Sequence, residues 1–252
     1  MAKSIFRMPG PDRYEVNARL KPALFTVLPL LVLPAAWLPD VWTALGGLSA
    51  LLVTCGMTVL MAQIARQRGR KLQAANPDLG PDSSAALLSH ASDVIDPLTK
   101  ARYHKFLAEQ GLAVPTAEEE AVAGLAPYKA CVTWLLAATR DKQRFHLLAE
   151  ENIAYGYRRN LLALKPVAVA VLAVALVINS AALATRWPVL DTRYWIGGAV
   201  EVGLFGIAAA WLLAVRPSFV ADASRSFGER LLAACDELRA VKPEKKRATK
   251  PG

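Results

Sequence analysis

Four apolar stretches of this chain hold one charged side chain between them, Glu201. They run from Pro22 to Leu38, Val41 to Ala65, Pro166 to Thr185 and Tyr194 to Val215. A helix needs about 20 apolar residues to cross roughly 30 Å of hydrocarbon, and lipid leaves the backbone no partner but itself. The sequence therefore predicts an all-α integral membrane protein with four transmembrane helices in two hairpins and a small helical cytoplasmic domain. The first stretch is short and carries Pro29 and Pro34, so it is expected to be kinked and to pack inside a bundle. Pro39-Asp40 makes a tight turn into the second. Arg186, Trp187, Pro188, Asp191 and Arg193 mark the short loop between the last two. The resulting division is a cytoplasmic arm (1–21), a first hairpin (22–65), a helical cytoplasmic domain (66–165), a second hairpin (166–215), and an amphipathic helix with a basic, disordered tail (216–252). No small-residue cleavage site follows the first stretch before the second begins, so it is expected to remain as a span.

Charge gives the orientation. Of 30 Lys and Arg, 28 fall in the arm, the 66–165 segment and the tail, and 2 in the short turns. That bias places both termini and the central segment on the cytoplasmic side of the membrane. Trp37, Trp42, Trp187, Tyr194 and Trp195 then gather at the opposite surface as an aromatic belt. The net charge of +9 is met by anionic lipid headgroups, at about 1 kcal/mol per basic residue near the surface. Nucleic acid is not expected as a partner, because no aromatic residues interleave with Lys245-Lys246-Arg247. With 54% apolar residues in long blocks, a disordered chain, a coiled coil and an ordinary soluble enzyme are excluded.

The segments between the spans read as helices. Arg66, Arg68, Arg70 and Lys71 form a basic collar. Residues 76–82 read as a loop. Asp96-Pro97 reads as an N-cap with Pro at the first helical position, and Gly111 as the end of that helix. Thr116 and Glu119 have capping-box spacing, and Pro127 should divide the helix that follows. In the tail, Val220, Ala223, Phe227, Leu231, Ala234 and Leu238 recur at spacings of three and four, the stripe of an amphipathic helix that packs on the domain. Before the third span, Tyr155, Tyr157, Arg158, Arg159 and Lys165 suit an anchor at headgroup level, or a coupling element with Gly156 and Pro166 as weak points. This run, with Tyr155-Gly156-Tyr157-Arg158-Arg159-Asn160 and Leu164-Lys165-Pro166, resembles a group of uncharacterised multi-pass bacterial membrane proteins. The resemblance spans residues 151–166, implies a bacterial source and brings no activity.

Chemistry is concentrated at Glu201. A charge in hydrocarbon is costly, so such a residue faces protein or water. Asn179 and Glu201 lie at similar depth on the two arms of one hairpin, about 10 Å below its outer end at 1.5 Å per residue, so the two can meet. The pair is either a structural hydrogen bond or an ion- or proton-handling point. Ala199, Gly203, Gly206 and Ala210 form a small-residue stripe for helix packing, about 160° round the helix from Glu201. Cys55, Cys131 and Cys235 are read as free thiols, since their spacing suggests neither a disulfide framework nor zinc. His146 with Glu150 is half a metal site at most, and Cys131 with His146 lacks a third member and an oxyanion signature. No catalytic residue, metal or cofactor is assigned. The expected function is non-enzymatic: an oligomeric membrane sensor, channel or pore-type effector controlled by its cytoplasmic domain, of the kind used in bacterial stress or phage defence. The alternative is a membrane scaffold that recruits a soluble cytoplasmic partner.

Overall fold

The computed structural model describes residues 12–38 and 43–240. The expected turn at Pro39-Asp40, Trp42 and the basic end of the tail lie outside them. Among the described residues all regular structure is helical, with no strand. The α-helices are α1 (Lys21–Trp37), α2 (Ala44–Ala75), α3 (Pro81–Leu88), α4 (Pro97–Glu109), α5 (Ala117–Ala123), α6 (Ala126–Ala138), α7 (His146–Arg186), α8 (Thr192–Leu213) and α9 (Pro217–Ala240). A π-helical turn, Glu15–Leu20, leads directly into α1. Four helices are long and apolar enough to cross a membrane: the π-turn with α1, then α2, α7 and α8. The pair α5 and α6 also passes on composition, but its two members meet at 96°.

The chain divides into two units, Met1–Leu72 with Gly156–Phe219, and Gln73–Tyr155 with Val220–Gly252. Several helices run past the limits suggested by charge. The first begins before Lys21, α2 continues ten residues beyond Ala65, and α7 belongs to the second unit through Tyr155 and to the first from Gly156. Helix α1 is uninterrupted across Pro29 and Pro34, and Pro29 is buried.

The first unit is built from the four span-length helices. Its core joins Ala23, Val27 and Leu33 of α1, Met61, Ala62 and Ala65 of α2, Leu164, Ala168 and Leu172 of α7, and Leu204 and Trp211 of α8. Their other faces are apolar and exposed, as at Leu51, Leu52, Val177 and Val202. Two small residues permit close approach at the basic end. A Cβ on Gly156 would lie 2.8 Å from the Tyr14 hydroxyl and 3.0 Å from Ala18 Cβ. The Asn160 side chain donates to the Ala18 carbonyl at 2.6 Å, so α7 supplies a partner to the π-turn.

In the second unit, α3, α4, α6, the start of α7 and α9 share one core containing Leu88, Phe106, Leu107, Tyr128, Leu135, Phe145, Leu231 and Leu232. Local chemistry sets the ends of its helices. Asp96 accepts from the Thr99 N–H at 2.9 Å, and Gly111 takes φ +83° after α4. Thr116 and Glu119 exchange the two bonds of a capping box. The break expected at Pro127 falls three residues earlier, at Gly124 with φ +57°. Pro127 then sits in the first turn of α6, where its missing N–H leaves no bond unmade. The apolar stripe of α9 is buried at Val220, Ala223, Leu231 and Ala234, and Phe227 stacks on Tyr155 with centroids 6.0 Å apart.

Candidate functional site

A polar cluster shared by three of the span-length helices centres on Asn179, which is fully buried in α7. Its Oδ1 accepts from Trp37 Nε1 of α1 at 2.7 Å. Its Nδ2 donates to Glu201 Oε2 at 2.7 Å and to the Gly197 carbonyl at 2.9 Å, both in α8. The neighbouring Ser180 donates from Oγ to Glu201 Oε1 at 2.6 Å. Three helices are thus joined through one amide, and both oxygens of the carboxylate accept a hydrogen bond. Glu201 is half-buried and Ser180 is exposed, so Oε1 lies on the open side of the cluster. The Arg186 guanidinium, which pairs with Asp191 at 2.6 Å, stands 5.6 Å from the centroid of the Trp37 ring.

The two donors differ in chemistry. An amide N–H can only donate, whereas a serine hydroxyl can donate or accept. A proton arriving at the carboxyl is therefore accommodated at Oε1, where Ser180 can reverse its role, while Asn179 keeps its bond to Oε2.

Depth counting anticipated the meeting of Asn179 and Glu201. Ser180, Gly197 and the indole N–H of Trp37 were missed. An interfacial belt would leave the Trp37 indole at the membrane surface, yet its N–H is turned to Asn179. Gly197 is the contact that admits the ring: a Cβ there would run into the Trp37 ring. Only the small size of Gly197 signals this, and that needs a partner to be known.

The stripe Ala199, Gly203, Gly206 and Ala210 is on the exposed side of α8, and a Cβ on Gly203 or Gly206 would meet nothing within 4 Å. Within the chain α8 instead packs through Gly197, Leu204, Ala208 and Trp211. Glu201 borders that packed face, which corrects the picture of a polar point set apart from the packing side.

The five residues expected as a headgroup anchor are tied within their own units. Tyr155 is the clearest departure: it is 8% exposed, donates to the Leu79 carbonyl at 2.5 Å, and accepts from Gln73. Tyr157 packs beside the first unit's core. Arg158 donates to the Phe219 carbonyl at 3.1 Å and lies 4.5 Å from that ring's centroid. Arg159 is half-buried beside Gly69. Lys165 donates to the Leu212 and Val215 carbonyls at 3.1 and 2.7 Å, where α8 ends and its last carbonyls need donors.

The second unit holds a polar cluster that sequence spacing did not group. Glu120 accepts from the Ser89 hydroxyl, from the His90 N–H at 2.8 Å and from the Tyr128 hydroxyl at 2.8 Å. Burial pushes the Glu120 carboxyl up, but these bonds outweigh it and hold it below the ordinary value. His104 donates from Nε2 to the Leu88 carbonyl (2.7 Å), stacks on Tyr128 and meets His90 edge-on at 5.0 Å. Burial lowers the pKa of His104. Among the described residues no group of three metal-ligating side chains occurs. Burial raises the Cys131 thiol and, with nearby charges, takes Cys235 up to about 12, the reverse of what a thiolate nucleophile requires. No family model matches the chain, and neither does any curated protein or any solved structure.

Proposed function

We propose that this is a non-enzymatic bacterial inner-membrane protein, a channel or pore-type effector whose cytoplasmic unit controls passage of protons or small cations past Glu201. The cluster of Glu201, Asn179, Ser180 and Trp37 carries the reading. It sets an acidic side chain in a cluster shared by three of the four helices of membrane-spanning length, with one carboxylate oxygen on the exposed side. An acidic residue in such a place usually marks an ion or proton path. The charge bias sets both termini in the cytoplasm, and the exposed Arg66, Arg68, Arg70 and Lys71 meet anionic headgroups there. The exposed stripe Ala199, Gly203, Gly206 and Ala210 supports a homo-oligomer with α8 against a second copy.

Purified protein in liposomes should pass protons or potassium down an imposed gradient, and Glu201→Gln should abolish most of the flux. The amide keeps the shape and removes the charge and the titration. Equal flux from the variant removes this reading. Leu98 and Val122, which are 84% and 92% exposed in the second unit, favour a second reading, a scaffold that docks a soluble partner. That reading requires tight liposomes and a cytoplasmic protein co-purifying in fixed ratio.

A further inference from the structure

The second unit contains a surface cleft of about 500 Å³, between the end of α3, the loop after it, the α5–α6 junction and the start of α9. That volume falls within the range of small-molecule sites. Its walls are held from behind by polar groups. Lys100 is 6% exposed and has no carboxylate partner among the described residues. It donates to the Ser92 carbonyl and, at 2.8 Å, to the Ser89 carbonyl. Glu120 grips the same loop through the Ser89 hydroxyl and the His90 N–H. Burying an ammonium is costly, and here it holds only the loop that forms one wall. Across the cleft, the hydroxyls of Ser83 and Ser224 meet at 2.7 Å and fix α3 to α9. The walls are therefore set before any ligand arrives, which lowers the cost of binding.

The lining is chemically divided. Leu87, Val94, Leu125 and Ala221 supply apolar surface. Asp78 and Arg225 supply one negative and one positive charge, and neither has an ion-pair partner among the described residues. A purely anionic ligand would suit Arg225 but meet Asp78, and a purely cationic one would meet the converse. We propose that this cleft binds a small zwitterion with an apolar body, of the free amino acid type. Arg225 takes the carboxylate, Asp78 the ammonium, and the apolar wall the side chain. The proposal deepens the reading of this unit as the controlling part of the molecule and rests on it for its biological sense.

Calorimetric titration of the full chain in detergent tests it. The probes are L-leucine, L-phenylalanine and L-leucyl-L-leucine, with 4-methylpentanoate and isopentylamine as analogues that each lack one charge. Saturable binding is expected for at least one zwitterion and for neither analogue. Arg225→Ala and Asp78→Asn, both exposed and remote from the core, should each weaken it about tenfold or more. An exposed control, Lys105→Ala, should leave it unchanged. The site is overturned if none of the three zwitterions binds, if a singly charged analogue binds as well as they do, or if both variants bind as the parent does. The titration does not depend on flux, so its failure leaves the Glu201 experiment standing, and failure of the flux experiment leaves the titration standing.

Discussion

At the scale of the residue, burial decides what a polar side chain can do. His104 is half-buried and Asn179 fully buried, and both are satisfied through specific hydrogen bonds. For His104 the consequence is a pH dependence. Burial disfavours its charged form most; the bond to Leu88 and the charge of Glu120 oppose that, while His90 and Lys100 add to it. Its folded-state pKa therefore lies below the 6.5 of the unfolded chain. Between those two values the unfolded state binds more protons, so stability rises with pH there, is complete above 6.5, and is lost as pH falls. Asp96 and Glu120, whose carboxyls are held low, lose stability in the same direction but only below the ordinary carboxylate values of 3.8 and 4.5. The two windows are separable. Hydrogen exchange of α4 amides, followed from pH 7 to pH 5, should show faster opening in the parent and a flat response in His104→Gln, which can still donate to the Leu88 carbonyl. An equal response in both would mean another group titrates.

At the scale of the element, what was legible in the sequence was local. Asp96 capping Thr99 and Thr116 exchanging bonds with Glu119 involve partners three residues apart, so spacing suffices to find them. The apolar runs announce α1, α2, α7 and α8 because uncharged length is the property a span requires. Spacing does not show which neighbour a face will meet. Tyr155 looks like an interfacial tyrosine until Leu79, Gln73 and Phe227 enclose it, and the π-turn at Glu15–Leu20 is intelligible only beside Gly156 and Asn160. The same holds where α1 meets α8. Gly197→Ala drives a methyl into the Trp37 ring, and overpacking of this kind costs about 1–3 kcal/mol. Thermal unfolding in detergent should show that loss, and Trp37→Leu should reduce the cost of adding Gly197→Ala, since the ring that clashes is gone. Additive effects of the two substitutions would place the indole elsewhere.

At the scale of the whole molecule, the distribution of charge makes a claim that no single contact makes. The turn from the end of α7 into the first turn of α8 exposes Trp187, Val189, Leu190 and Trp195, and its charge is limited to Arg186, Asp191 and Arg193. The second unit carries the capped helices, the Glu120 cluster and the cleft. With 28 of 30 basic residues away from the short turns, the function proposed above expects that loop at the outer surface and the second unit in the cytoplasm, by the positive-inside rule. Two exposed positions test this directly, Val189 at 64% exposure and Leu98 at 84%. In a chain whose Cys55, Cys131 and Cys235 are replaced by Ala, Val189→Cys should react with a membrane-impermeant maleimide on intact spheroplasts. Leu98→Cys should react only after the membrane is opened. Reaction of Leu98→Cys on intact spheroplasts would invert the orientation, moving the proposed control unit outside and reversing the direction in which Glu201 is approached. Recovery of the chain in the soluble fraction would exclude the spans themselves. The apolar faces of α2, α7 and α8 would then need a covering other than lipid, and the basic collar would lose its headgroups.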